Sequence, residues 1–212
     1  MSVLWDRGGP AGADHLPEQE AVATAAQVIS ELPPLPYGVP PHRIEHCSEC
    51  PPEVLDAVRR SGAVVVTNPG FIHWSGPVYR NDVDATLQPH LYPIGAIEEA
   101  GVNMAFGSDA PVIHPNPWPA IYAAVTRRDH VGQPFPETGV SGRVSVQSAL
   151  RMYTLSGAES EGTQADKGSI TPGKLADLVL VDANPLTVAP EGLKDIKARM
   201  TMVGGRVVWE GR

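Results

Sequence analysis

The sequence of 212 residues is poor in cysteine, in lysine and in long apolar runs, and each shortage closes off a class of protein. Two cysteines, Cys47 and Cys50, are too few for a disulfide framework. Lysine and arginine number 16 against 24 aspartates and glutamates, a formal charge of −8, so no basic surface is available to neutralise phosphates and a nucleic-acid partner is not expected. No run approaches the roughly 18 apolar residues that cross a bilayer, and no membrane partner is expected. The start, MSVLWDRGGPAGADHLPEQE, has neither the basic nor the apolar region of a signal peptide. The expectation is a cytoplasmic protein acting on a small-molecule substrate. No Gly-x-Ser-x-Gly elbow occurs, and Ser108 reads as a partner for its local backbone rather than a nucleophile.

What is present reads as globular, since the 22 prolines and 21 glycines are scattered without a period. Residues 1–40 divide into a polar start, a helix over Glu18 to Leu32 with Ala21, Ala25, Val28 and Leu32 on one face, and the link PPLPYGVPP. Then a strand-loop-helix unit recurs three times. HRIEH is a short strand; PPEVLDAVRRSG is a helix with proline at its start, arginines in its last turn and Gly62 as its stop. AVVVTNPGFI is a second, continuously apolar strand, of the kind buried on both faces of a parallel sheet. HWSGPVYRNDVDATLQPH reads as a long loop, followed by a helix over about Tyr92 to Ala100. VNMAFGSD is the third strand and PWPAIYAAVTRR its helix. After a loop over His130 to Gly142, SVQSALRMYTLSGAE forms one helix capped by Ser145. GSITPGKLADLVLVDANP and ARMTMVGGRVVWEGR read as β, with Gly204 and Gly205 turning a hairpin. The expected divisions are 1–40 (N-terminal segment), 41–158 (α/β body) and 159–212 (β portion).

Chemistry is sought at the C-terminal ends of the parallel strands. His46 and Asp109 both fall there, and an imidazole with a carboxylate suits a divalent metal, with Asp109 as ligand or proton acceptor. The alternative stays open that His46 hydrogen-bonds in a turn and Asp109 caps the next helix. His73, Trp74 and His114 are candidate substrate-pocket residues, with exposed loop positions as the alternative for the histidines; His90 is a weaker candidate. Tyr79 and Trp118 could line the same pocket or belong to the core. Arg43 and Glu45 alternate with Ile44 and His46 on an extended strand and could pair behind the site. Cys47 and Cys50 could be a redox pair, incidental thiols, or, with His42 and His46, a crowded zinc site.

RIEH, FGSDAPV, ALRMYTLSGA, KGSITPGKLADLVLVDANP and MVGGRVVWEG, in this order, resemble the amidohydrolase superfamily, in particular the amidohydrolase-3 group, over about residues 41 to 212. The resemblance implies a (β/α)₈ TIM-type barrel with a β-sandwich from both termini. It also implies a divalent metal, zinc by expectation, with His46 as a ligand on the sixth strand and Asp109, at the end of the eighth, as metal neighbour and general base. The reaction implied is hydrolysis of a non-peptide amide or cyclic amide by metal-activated water. Several family features have no counterpart: no His-x-His occurs, all lysines (Lys167, Lys174, Lys194, Lys197) fall in or beside the C-terminal β region, and neither His15 nor His42 matches the fifth-strand histidine. Three units where eight close a barrel imply a partial barrel, of about the last three strand-helix units, with part of the sandwich. Two uses follow from that reading: an incomplete metal-dependent hydrolase completed by self-association or by a complementing N-terminal half, or an inactive fragment working only through a partner.

Overall fold

Four short parallel strands make the first sheet: β1 (Ser2–Val3), β2 (Arg43–Glu45), β3 (Val64–Thr67) and β4 (Met104–Phe106), paired in that order. The computed structural model describes residues 2–3, 18–36, 38–137 and 142–211. The polar start over 4–17, Tyr37 of the proline link and residues 138–141 of the loop before Gly142 lie outside the described residues. β1 is a strand the sequence did not announce, since two residues carry no periodicity; the sheet therefore has four strands rather than three. Its order is sequential, with no reversal of the kind that makes a switch point in doubly wound sheets.

Register shows which face does what. Ile44 pairs with Val65 and Val65 with Met104, and all three are buried, as are Thr67 and Phe106 two positions further on. The opposite face carries Arg43, Glu45, Val64, Val66 and Ala105. Arg43 Nη2 and Glu45 Oε1 lie 2.6 Å apart on it, the ion pair expected from their alternation.

Helices α1 (Glu18–Glu31) and α2 (Pro52–Ser61) pack on each other after β1 and β2. α2 begins with proline, buries Val54 and Val58, and stops at Gly62 in the left-handed region (φ 68°), as its sequence dictates. α3 (Gly70–Asp82) occupies the stretch read as a long loop. Gly76 and Pro77 hide its pattern from a sequence reading. Packing on α5 (Pro117–Thr126) supports it, with Ile72, His73 and Tyr79 buried. A Cβ on Gly76 would come within 3.0 Å of Asp129 Cβ, so the backbones meet there because that residue has no side chain. α4 (Ile94–Glu99) is shorter than expected and follows a 3₁₀ turn at Gln88–His90. α5 is apolar on every side because it lies between α3 and the 3₁₀ segment Pro190–Asp195, whose Leu193 is fully buried.

The single helix expected after Ser145 is two, α6 (Val146–Tyr153) and α7 (Leu155–Ser160), divided at Thr154. Ser145 does cap α6, accepting from the N–H of Ser148 at 3.0 Å. The second sheet is antiparallel, β5 (Leu178–Val181), β6 (Ala198–Val203) and β7 (Arg206–Glu210), with Gly204 and Gly205 at φ 55° and 79° in the β6–β7 turn. Among the described residues no helix is long and apolar enough to cross a membrane.

Candidate functional site

β2 ends at Glu45, and the next two residues, His46 (φ 64°) and Cys47 (φ 49°), are left-handed although neither is glycine. Such a conformation costs on the order of 1 kcal/mol per residue and persists where surrounding bonds fix it. Here the N–H of His46 donates to Val66 O on β3 at 2.8 Å. Glu18, in the first turn of α1, accepts from the N–H of Ser48 at 3.0 Å and from its hydroxyl. The carbonyl of Ser48 receives the N–H of Tyr92 at 2.7 Å.

The kink redirects the imidazole. His46 Nδ1 lies 2.8 Å from Oδ1 of Asn68, the residue just past β3. Since that oxygen can only accept, Nδ1 carries the proton, and in the neutral ring Nε2 is then the nitrogen with the lone pair. A Cβ on Gly107 would meet both Asn68 Nδ2 (3.4 Å) and Val66 Cγ1 (3.7 Å), which puts the Asn68 amide on the sheet face of Glu45 and Val66. His46 is drawn to that face rather than to the face of Ile44, because strand alternation ends one residue before it.

Asp109 stands three residues beyond β4, also left-handed (φ 58°) and half-buried. Its backbone carbonyl accepts from the N–H of Val112 at 2.9 Å, and Ser108 Oγ accepts from the N–H of Ala110 at 3.3 Å. The Asp109 carboxylate makes no hydrogen bond or ion pair among the described residues. It does not cap the next helix, because Asn116 does, accepting from the N–H of Trp118 at 3.2 Å. No hydrogen bond or ion pair joins His46 to Asp109 among the described residues. Their strands flank β3, so the strand axes are roughly 10 Å apart, with Asn68 at the end of the strand between them.

The remaining candidates lie elsewhere. His73 is in α3, not in an exposed loop, and is 4% exposed; its ring meets Tyr122, Trp74 and His130 edge-on. Burial, then the nearby His130 and Lys194, lower its pKa to about 4 against an opposing pull from Asp129. Trp74 is 44% exposed and stacks on His130. His114 is exposed, and its Nδ1 accepts from the N–H of Asn116 in the entry turn of α5. His90 is half-buried in its 3₁₀ turn, and its carbonyl accepts from the N–H of Cys50 at 3.0 Å. Tyr79 and Trp118 are core residues. Cys47 and Cys50 are buried thiols; the Cys50 hydrogen bond, then burial, push the Cys47 thiol well above its ordinary range. Among the described residues no group of three or more His, Cys, Asp and Glu could hold a metal, which removes the four-residue zinc reading.

A cleft of about 480 Å³ lies at the other end of the sheet, between the starts of β3 and β4 (Val64, Asn103) and α6–α7 (Ser148, Arg151, Glu159). Its position separates it from His46 and Asp109.

Two residues have roles the sequence reading missed. Asn68 had one available signal, a polar residue directly after the apolar run VVVT. Arg127 caps α5 in the left-handed region and is buried, donating to Tyr92 O, Leu91 O and Pro136 O at 2.9 Å each and to Pro89 O at 3.4 Å, with Phe135 under its guanidinium. Burial lowers its pKa to about 10. It ties the segment from Pro89 to Tyr92 to the end of α5.

A model of the amidohydrolase family matches residues 13–209. The chain belongs to the amidohydrolase family. An N-substituted formamide deformylase of Arthrobacter pascens is 32% identical over 152 residues, which is 70% of this amidohydrolase chain and 27% of the relative. Among solved structures, an uncharacterized metal-dependent hydrolase from Pyrococcus horikoshii superposes with a TM-score of 0.64 at 23% identity, over 82% of this chain and 34% of that one. An adenosine deaminase from Xanthomonas campestris, solved with bound zinc, gives 0.51 at 22% identity, over 78% and 36%. The amidohydrolase chain thus spans about a third or less of these relatives' length. The shared mixed α/β architecture is the amidohydrolase fold.

Metal dependence goes with this family, and two donors here suit a metal. His46, in its neutral Nδ1–H form, presents Nε2 with a lone pair, and the Asp109 carboxylate is unpartnered among the described residues. As a set they fall short, because a catalytic zinc centre takes three protein ligands and no third converges among the described residues.

Proposed function

We propose that this chain carries the His46 and Asp109 portion of a metal-dependent centre that hydrolyses a non-peptide carbon–nitrogen bond, within a partial TIM-type barrel flanked by part of a β-sandwich. The remaining ligands would come from polypeptide corresponding to the rest of its relatives' length, supplied by a complementing N-terminal half. One observation carries the reading: two non-glycine residues of the right chemistry stand in left-handed backbone beyond the ends of parallel strands, one with its ring fixed and one with its carboxylate unpartnered. The deformylase and deaminase names of its relatives agree with the bond type. When bound, a divalent metal, zinc by expectation, supplies Lewis acidity and acidifies water. His46 offers Nε2 to hold it. With the missing ligands supplied, Asp109 would accept a proton from the attacking water and return it to the departing nitrogen.

The test is cobalt or zinc titration of the purified chain followed by calorimetry. Weak binding is expected, lowered about tenfold or more by His46→Ala and by Asp109→Asn. Binding that both substitutions leave unchanged, or no binding in any of the three proteins, would sink the proposal.

A second reading, a non-catalytic chain that works by association with a second copy or a partner, is favoured by the C-terminal sheet. Val179, Leu180, Val207, Val208 and Trp209 are all exposed there.

A further inference from the structure

Asn68 is 4% exposed, and its side-chain oxygen has His46 Nδ1 as a partner across 22 residues of sequence. Its own position is fixed from two sides. The Asn68 carbonyl accepts from the N–H of Phe71 at 3.1 Å, locking the backbone into the turn that opens α3. Gly107, at the end of β4, faces the amide so closely that a Cβ there would stand 3.4 Å from Nδ2. The imidazole it meets sits on a left-handed residue, whose backbone alone would not choose this ring direction.

A neutral imidazole exists as two tautomers, and only the one protonated on Nδ1 leaves the outer nitrogen able to ligate. We propose that Asn68 is the positioning residue for His46: its amide oxygen selects the Nδ1–H tautomer and fixes the ring so that Nε2 is offered at the C-terminal edge of the sheet. This rests on the reading of His46 as a metal ligand. An amide does the job without adding charge, so the centre gains orientation while Asp109 remains the anionic group among the three residues at this edge.

The experiment is long-range ¹H–¹⁵N correlation of the metal-free full chain at pH 8, where imidazoles are neutral, with His46 assigned through His46→Ala. The wild type should show His46 protonated on Nδ1. Asn68→Ala should give mixed tautomers and lower cobalt affinity by about tenfold, whereas the isosteric Asn68→Asp should restore both. Asn68→Leu, which fills a similar volume without a hydrogen-bonding group, serves if Asn68→Ala fails to fold. A wild-type His46 protonated on Nε2, or a tautomer indifferent to the loss of the Asn68 amide in whichever of the two variants folds, overturns the proposal. Tautomers that change as expected while cobalt affinity ignores both Asn68→Ala and His46→Ala support the positioning and overturn the ligand reading instead.

Discussion

Burial keeps His73 neutral, and this gives the folded state a defined acid sensitivity. Its pKa is about 4 in the fold and near 6.5 in an unfolded chain. Between those values the unfolded chain binds a proton that the native one refuses, so stability is complete above about pH 6.5 and falls as pH drops toward 4. The size is about 3 kcal/mol at most, and His73→Phe should remove that part of the loss when urea midpoints at pH 7 and pH 4.5 are compared. An unchanged difference would place the acid sensitivity elsewhere. Asp129 acts in a lower window. Burial, which would raise its pKa, is outweighed by the Arg80 hydrogen bond and the N–H groups of Gln133 and Val131, so it stays ionised until the pH falls below the ordinary carboxylate range. Residue roles were legible in sequence where partners are near, as for Ser145 on Ser148 or Arg43 on Glu45. The motifs around His46 and Asp109 were readable too, since the family they resemble is the one the chain belongs to. Asn68 and Arg127 were not, because His46 lies 22 residues from the one and Tyr92, Leu91 and Pro89 lie 35 to 38 from the other, and only the folded chain brings them together.

At the scale of elements, caps and proline starts announced α2, α5 and α6, whose start signals are local; the extent of α1 was read from its periodicity but its face was not, since Val22 and Ala26 are buried while Val28 and Leu32 are exposed. α3 was hidden because Gly76 and Pro77 lower its intrinsic propensity while its packing on α5 restores it. Another glycine packs against the start of α7. Gly168 lies at φ 90°, and a Cβ there would stand 2.7 Å from Ala158 Cβ and 3.0 Å from Leu155 Cα. Gly168→Ala is therefore expected to destabilise the fold by about 2 kcal/mol, through backbone strain and overpacking together. Thermal unfolding measures it, and a melting temperature equal to the wild type would show that the loop can move off α7.

For the whole molecule, the two sheets differ in how they are covered. The parallel sheet has a buried face under its helices, while every residue of β7 is exposed. A three-stranded sheet with apolar side chains in water should associate. Sedimentation velocity is expected to show concentration-dependent self-association that Trp209→Glu, at a position 49% exposed, weakens. A monomer at all concentrations would remove the second reading. The sequential order of the parallel sheet bears on how the chain reaches its fold. Each strand pairs with the one before it, so closing β2 on β3 needs only α2 and its turns, and β4 adds after α3 and α4. The pairings still join residues 21 to 41 positions apart (Ile44 with Val65, Val65 with Met104, Val3 with Ile44), non-local contacts that slow folding, while the sequential order lets the sheet grow one unit at a time, each addition extending a structure already formed.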